Sequence, residues 1–182
     1  MQRCLLRSSN LRQVILREAE LDNTDLRGAR LDGADLTGAR LSGADLRGTE
    51  IKGAVFTNCA LSSARLDDTL ASSVSMRGAD LFSARLDRAR LDSADLRDAT
   101  LINASLARAD LTGADLSGAD VHGADFSGAV LVAANLSSVQ SLTREQVNSA
   151  VLGQLTRLPA ELTYLLDGRA MPDDSGIGIV IT

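Results

Sequence analysis

His122 is the only histidine in the chain, so no metal cluster and no acid–base pair can be assembled from imidazoles. Its place in the sequence directs the ring outward, as a solvated surface residue. Asp110, Asp115, Asp120 and Asp125 recur every five residues and have the look of a metal-binding array. At that spacing, however, the geometry derived below sends them in four directions, which makes them solvated repeat positions. The calcium-binding GGxGxD repeat is absent. Serine and threonine are plentiful, but without a histidine partner they cannot form a Ser–His–Asp relay. Neither a GxGxxG nor a Walker phrase occurs. The residue types therefore argue against an enzyme and imply no cofactor, no metal and no catalytic residue.

What must position any functional side chain is a repeat. Apolar centres stand at Leu6, Leu11, Leu16, Leu21, Leu26, Leu31, Leu36, Leu41, Leu46, Ile51, Phe56, Leu61, Leu66, Ala71, Met76, Leu81, Leu86, Leu91, Leu96, Leu101, Leu106, Leu111, Leu116, Val121, Phe126, Leu131 and Leu136, 27 positions without an insertion. Two residues before each centre the side chain is small, mostly alanine and otherwise Cys4, Ser9, Val14, Thr24, Thr49, Cys59, Thr69 or Val74. A five-residue period fits neither ordinary element. At about 100° per residue a helix would scatter the centres around its whole surface. On a flat strand an odd period would flip each centre to the opposite face. A chain that turns a corner every five residues keeps every centre inside, and four corners close a square coil of about twenty residues. Stacked coils then bury a column of leucines beside a column of alanines.

The phrases Ala34-Asp35-Leu36-Thr37-Gly38 and Ala114-Asp115-Leu116-Ser117-Gly118 are similar to the A(D/N)LXX signature of the pentapeptide-repeat family. The resemblance covers residues 4–138. It implies an all-β solenoid, a right-handed quadrilateral β-helix of about seven coils, and a short α-helical C-terminal cap. Such a rod is on the order of 34 Å long, at ~4.8 Å per coil.

Composition agrees with one narrow-cored domain. There are three Phe, one Tyr and no Trp, and a column core needs no large fillers. Cys4 and Cys59 both occupy the small inward position on different faces, which argues against a disulfide between them. Buried free thiols suit a reducing compartment, and the expected location is cytoplasmic. The opening Gln2–Arg12 stretch is polar and charged, unlike a signal peptide. With no run of about 20 apolar residues, no membrane partner is expected. A net charge of −5 argues against direct nucleic-acid binding.

Along the chain, the first coil blurs the register and presents an unpaired edge. Between Cys59 and Ser75, Ala71 leaves the column short of volume, which either Met76, Phe56 and Val74 offset or Leu70 relieves by swinging inward. Thr143 with Gln146 reads as a capping box opening a helix, and Pro159 as the first turn of another through Leu166. Residues 139–168 form the expected helical cap and 169–182 a tail. Within the tail, 177–182 (Ile-Gly-Ile-Val-Ile-Thr) reads either as a strand or as disordered. Val130 and Val132 at outward positions, with Val147 on the helix, mark either an intramolecular cap or a two-fold interface, an end-to-end homodimer being the simplest closure.

Function then falls to the outer faces. One face carries Asp25, Asp45, Arg65 and Arg85 beside Arg27, Arg47, Asp67 and Asp87. The exchange of sign between coils predicts ion pairs across neighbouring coils. Another lines up Glu20, Asp22, Asp80 and Asp120 against Arg40, and stacks Phe82, Ile102 and His122. Adjacent exposed apolar residues framed by acids mark a contact site for another protein. The expected function is a noncatalytic protein–protein scaffold. The alternative, implied by the resemblance, is a DNA-mimicking binder of DNA gyrase, as in the quinolone-resistance members. Residues 4–138 hold 19 acids and 15 bases, whereas duplex DNA of that length carries roughly twenty charges, a poor match.

Overall fold

The computed structural model describes residues 5–153 and 155–166; Cys4 and the expected strand at 177–182 lie outside them. The five-residue phrase resolves into a turn and a bridge. In Leu26-Arg27-Gly28-Ala29 the Ala29 N–H donates to the Leu26 carbonyl at 2.9 Å, and the same closure recurs from Ser9 to Val139. The third turn residue holds a positive φ in every phrase from Ser8 to Ala133, for example 64° at Gly28. Glycine adopts this backbone freely, whereas a residue with a Cβ pays about 1–2 kcal/mol for it. The Gly-rich phrases are therefore the least strained corners.

The remaining residue of each phrase forms a parallel bridge to the residue twenty further on. The bridges run on all four sides, as in Asp25↔Asp45, Arg30↔Glu50, Asp35↔Val55 and Arg40↔Ala60. Leu26 donates up the stack to Asp45 (2.9 Å), and Arg30 donates down it to Ser9 (2.9 Å). Corners follow so closely that, among the described residues, pairing is by single bridges rather than by strands of several residues. The ladder satisfies backbone groups that would otherwise be costly to bury.

Inside, the centres from Leu26 to Leu136 are at most 1% exposed, with Phe56 and Phe126 the bulkiest. Burying a leucine contributes about 2 kcal/mol relative to leaving it in water. Alanine two residues earlier lets the next corner approach: Ala29, Ala34, Ala39 and Ala44 are wholly buried. At Thr49 and Thr69, which take that place, the hydroxyl donates back to the preceding centre's carbonyl, Thr49 to Leu46 (2.7 Å) and Thr69 to Leu66 (2.9 Å). Cys59 donates its S–H to the Leu36 carbonyl, and burial pushes the thiol up to about 12, so it is held as an inert packing group.

Ala71 is the buried centre of its phrase and Leu70 is 44% exposed, which overturns the alternative in which Leu70 turns inward. Leu70 is bridged to both Glu50 and Arg90, and its N–H donates to Thr49 at 2.9 Å. Turning it inward would break that register on both sides.

The ladder runs past Ser138. Val130 is bridged to Val151 and Asn135 to Arg157; an intervening helix absorbs one extra residue, and the six-residue step from Val151 to Arg157 absorbs a second. That helix, α1, spans Arg144–Ser149; the Thr143 side chain accepts the Gln146 N–H and the Gln146 side chain accepts the Thr143 N–H. Val147, 1% exposed, sits against the core column, as do Leu158 and, in the 3-10 turn Ala160–Leu165, Leu162. Ala150-Val151-Leu152 and Thr156-Arg157-Leu158 restate the phrase of a small residue, any residue, then leucine. The Thr156 hydroxyl donates to the Leu131 carbonyl at 2.7 Å. Val130 and Val132 are half-buried; a Cβ placed on Gly153 would lie 2.9 Å from Val132 Cγ1. Among the described residues no helix is long and apolar enough to cross a membrane.

Candidate interaction faces

The aspartate of the phrase is built into the turn rather than simply solvated, which corrects the expectation for the aspartate series. Its carboxylate accepts the backbone N–H two residues on: Asp110 from Thr112 (3.0 Å), Asp115 from Ser117 (2.9 Å), Asp120 from His122 (3.1 Å) and Asp125 from Ser127 (2.8 Å). This is an Asx turn, and it explains the preference for Asp or Asn at that place. Among the described residues no three of His, Cys, Asp or Glu are arranged to hold a metal.

On two faces several carboxylates are neutralised by arginines of their own coil, while Asp115 and Asp125 on those faces form no ion pair among the described residues. Where the phrase reads Asp-Leu-Arg, the guanidinium folds back on the aspartate of its own coil as a fork. Arg27 donates to Asp25 at 2.8 and 2.6 Å, Arg47 to Asp45 at 2.7 and 2.6 Å, and Arg97 to Asp95 at 2.8 and 2.7 Å. The expected pairing across coils is present beside these forks. Arg27 reaches Asp45 at 3.5 Å and Arg85 reaches Asp67 at 3.0 Å. At the exchange of sign, Asp45 stays with Arg47 and Arg65 reaches Asp67 of its own coil at 3.9 Å. In the Asp-Leu-Arg phrases two-residue spacing wins because the turn already brings both side chains to one corner, whereas Asp67 lies nearest Arg85 of the next coil.

These bonds depress the carboxylates. The Thr37 hydroxyl, with the Thr37 N–H and Arg17, holds Asp35 down to about 2. Arg27 lowers Asp25, Arg47 lowers Asp45 and Arg97 lowers Asp95, in each case chiefly through the side-chain hydrogen bond. A carboxyl with a lower pKa folded than unfolded stabilises the fold above its unfolded value, near 4, and loses that stabilisation as pH falls through the folded value. The melting midpoint is therefore expected to hold steady from about pH 7 to 5 and to drop progressively between about pH 4 and 2. A midpoint at pH 2.5 equal to that at pH 6, by circular dichroism, would contradict the assignment.

The face carrying the predicted contact residues is different. Asp80, Thr100 and Asp120 are successive bridges. Beside them Ser83 N–H donates to the Ile102 carbonyl and Asn103 N–H to the His122 carbonyl, both at 2.8–2.9 Å, so Phe82, Ile102 and His122 occupy consecutive rungs about 4.8 Å apart. Phe82 is 45% exposed, Ile102 half-buried and His122 exposed. Asp80 is fixed by the Phe82 N–H (3.0 Å) and the Ser62 hydroxyl (2.6 Å). No arginine or lysine is ion-paired to Asp80 or Asp120 among the described residues. Glu20 and Asp22 are not part of this patch. They lie three rungs away, roughly 14 Å, and Arg40 pairs with both, at 3.9 and 2.5 Å.

Leu70, on the opposite face, is an exposed apolar residue beside the buried Ala71, as in the first of the two readings of that phrase. Its signal was a leucine at the bridge position, where the phrase calls for a polar residue.

A family model described as pentapeptide repeats matches residues 1–38, 39–78, 59–98, 94–131 and 109–140 in eight copies. No match is found among curated proteins. Several solved structures are similar. HetL, a pentapeptide repeat protein involved in heterocyst differentiation regulation from the cyanobacterium Nostoc sp. strain PCC 7120, is 30% identical over 88% of this chain and 78% of its own, with a TM-score of 0.48. QnrB1, a plasmid-mediated fluoroquinolone resistance protein, is 21% identical over 88% and 86%, with a TM-score of 0.60. A pentapeptide repeat protein of the Arabidopsis thaliana thylakoid lumen is 25% identical over 68% and 88%, with a TM-score of 0.50.

Proposed function

This chain belongs to the pentapeptide-repeat family, and on that premise we propose that it is a noncatalytic scaffold that binds another protein through the Asp80–Phe82–Ile102–Asp120–His122 patch. One observation carries the reading: two neighbouring apolar side chains reach solvent between two turn-fixed carboxylates that have no basic partner among the described residues. An aromatic anchor ringed by polar groups is the composition of a binding hot spot. Val130, Val132 and Val147 we assign to the chain's own C-terminal cap, because α1 and the returning residues 150–153 already lie over the last coils.

Because the turns and ladder are made by the backbone, Phe82→Ser with Ile102→Ser leaves the melting midpoint near that of the parent and weakens partner capture from the native cell about ten-fold or more. Arg27→Ser, outside the patch, leaves capture unchanged. Equal capture by the double variant and the parent would refute the patch. DNA mimicry is the weaker reading, since Asp25, Asp45 and Asp95 are neutralised by their own arginines. Supercoiling by purified gyrase is expected to be insensitive to this protein.

A further inference from the structure

We propose that the face opposite Phe82 carries a second docking site, a groove around Leu70 that takes an acidic extended segment of a partner protein along the rod axis. The inference stands apart from the Phe82 patch and uses none of its residues. The groove encloses about 760 Å³ and is lined by Leu70, Lys52, Arg90, Arg12, Asp32 and Glu50, among others. The corner at Gly53, next to Lys52, also faces open space: nothing lies within 4 Å of where a Gly53 Cβ would be. Leu70, 44% exposed, is bridged between Glu50 and Arg90, so an apolar side chain stands midway along a charged wall.

The charges are unequal. Asp32 is held by Arg12 at 2.7 Å, and Glu50 by Arg30 at 2.9 Å and Arg12 at 3.3 Å. Lys52 and Arg90 form no ion pair among the described residues. The groove thus presents two cations outside any ion pair among the described residues, on a chain whose formal net charge is −5. They lie on the rungs either side of Leu70, roughly 10 Å apart along the axis. An extended segment points alternate side chains to one face at ~6.6 Å intervals, so the pattern acid–any–apolar–any–acid sets its apolar residue over Leu70 and its carboxylates within reach of the two long basic side chains. A polyphosphate fits less well, because Asp32 and Glu50 line the same wall and Leu70 offers it nothing.

The test is fluorescence anisotropy of the full chain with a labelled synthetic peptide, Gly-Ser-Glu-Ser-Leu-Ser-Glu-Ser-Gly. Saturable binding is expected, weakened about ten-fold or more by Lys52→Glu with Arg90→Glu, by Leu70→Ser, and by raised salt. A peptide with lysine in place of glutamate is expected not to bind. Phe82→Ser with Ile102→Ser is expected to leave probe binding unchanged, so the two sites fail separately. Each variant's melting midpoint verifies its fold. The proposal is overturned by any of three results: no saturable binding, parent-like affinity in the charge-reversed variant, or equal affinity for a single-stranded oligonucleotide. A peptide of the chain's own residues 167–182 that outbinds the probe would also overturn it, by assigning the groove to the chain itself.

Discussion

Leu86→Ala is expected to lower the unfolding free energy by about 2–5 kcal/mol, the range for deleting a fully buried leucine from a close-packed core. Leu86 has no exposed surface, and its rung lies between those of Leu66 and Leu106 in one column. Its own backbone bonds, to Ser105 (2.7 Å) and from Ala89 (3.1 Å), survive the change. The loss is therefore one of packing alone, and the rigid square of turns leaves little room to close the cavity. For a chain of this size it corresponds to a fall in melting midpoint on the order of 10 °C. Each coil contacts only its neighbours, so the damage should be local. Amide exchange is expected to quicken first on the rungs of Leu66, Leu86 and Leu106 and to stay slow at the ends of the described coils. Leu70→Ala is the control, with an effect within about 0.5 kcal/mol because Leu70 is outside the column. Equal effects of the two substitutions would mean that the column is not the source of stability.

Gln146→Glu is expected to cost about 2–4 kcal/mol, more than Gln146→Ala at about 1–3 kcal/mol. In regular coils a backbone N–H from the next rung satisfies the inner carbonyl, as when Gln140 donates to Ala119 at 2.8 Å and Asp125 to Ala104 at 2.9 Å. Above Asp125 the coil gives way to α1, and the side-chain amide of Gln146 substitutes for the missing donor. Its Nε2 donates to both the Val121 and Ala124 carbonyls at 2.8 Å, while Oε1 accepts the Thr143 N–H at 2.8 Å. Alanine leaves the Ala124 carbonyl and the Thr143 N–H to water or to nothing, while the Val121 carbonyl keeps the Ala124 N–H at 3.0 Å. Glutamate of the same shape aims a charged oxygen at two carbonyl oxygens, which is repulsive. The introduced carboxyl therefore titrates higher folded than unfolded, so the deficit of Gln146→Glu should shrink as pH is lowered toward about 4. Urea melts of both variants at pH 7 and 5 check this. Identical losses at both pH values would show that Gln146 acts only through the helix cap.

The five-residue period was enough to determine the square coil, the buried column and its alanine companion, because only a corner per phrase reconciles an odd repeat with one buried side. The capping-box residues Thr143 and Gln146 were equally legible, since that signal is local. Side-chain partners were not. Whether Asp45 pairs with Arg47 beside it or Arg65 above it depends on distances of an ångström or two at a corner, and the period is blind to them. The same holds for Ala150-Val151-Leu152 and Thr156-Arg157-Leu158, which rejoin the ladder only because α1 absorbs one extra residue and the step from Val151 to Arg157 a second. It holds too for Leu70, whose bridge to Glu50 and Arg90 keeps it outside a column that its hydrophobicity alone would have favoured. Sequence by itself determined which residues lie inside, because burial follows the repeat. The tertiary structure alone decided which outward residues stay unpaired, because that depends on what each side chain meets on the coils above and below.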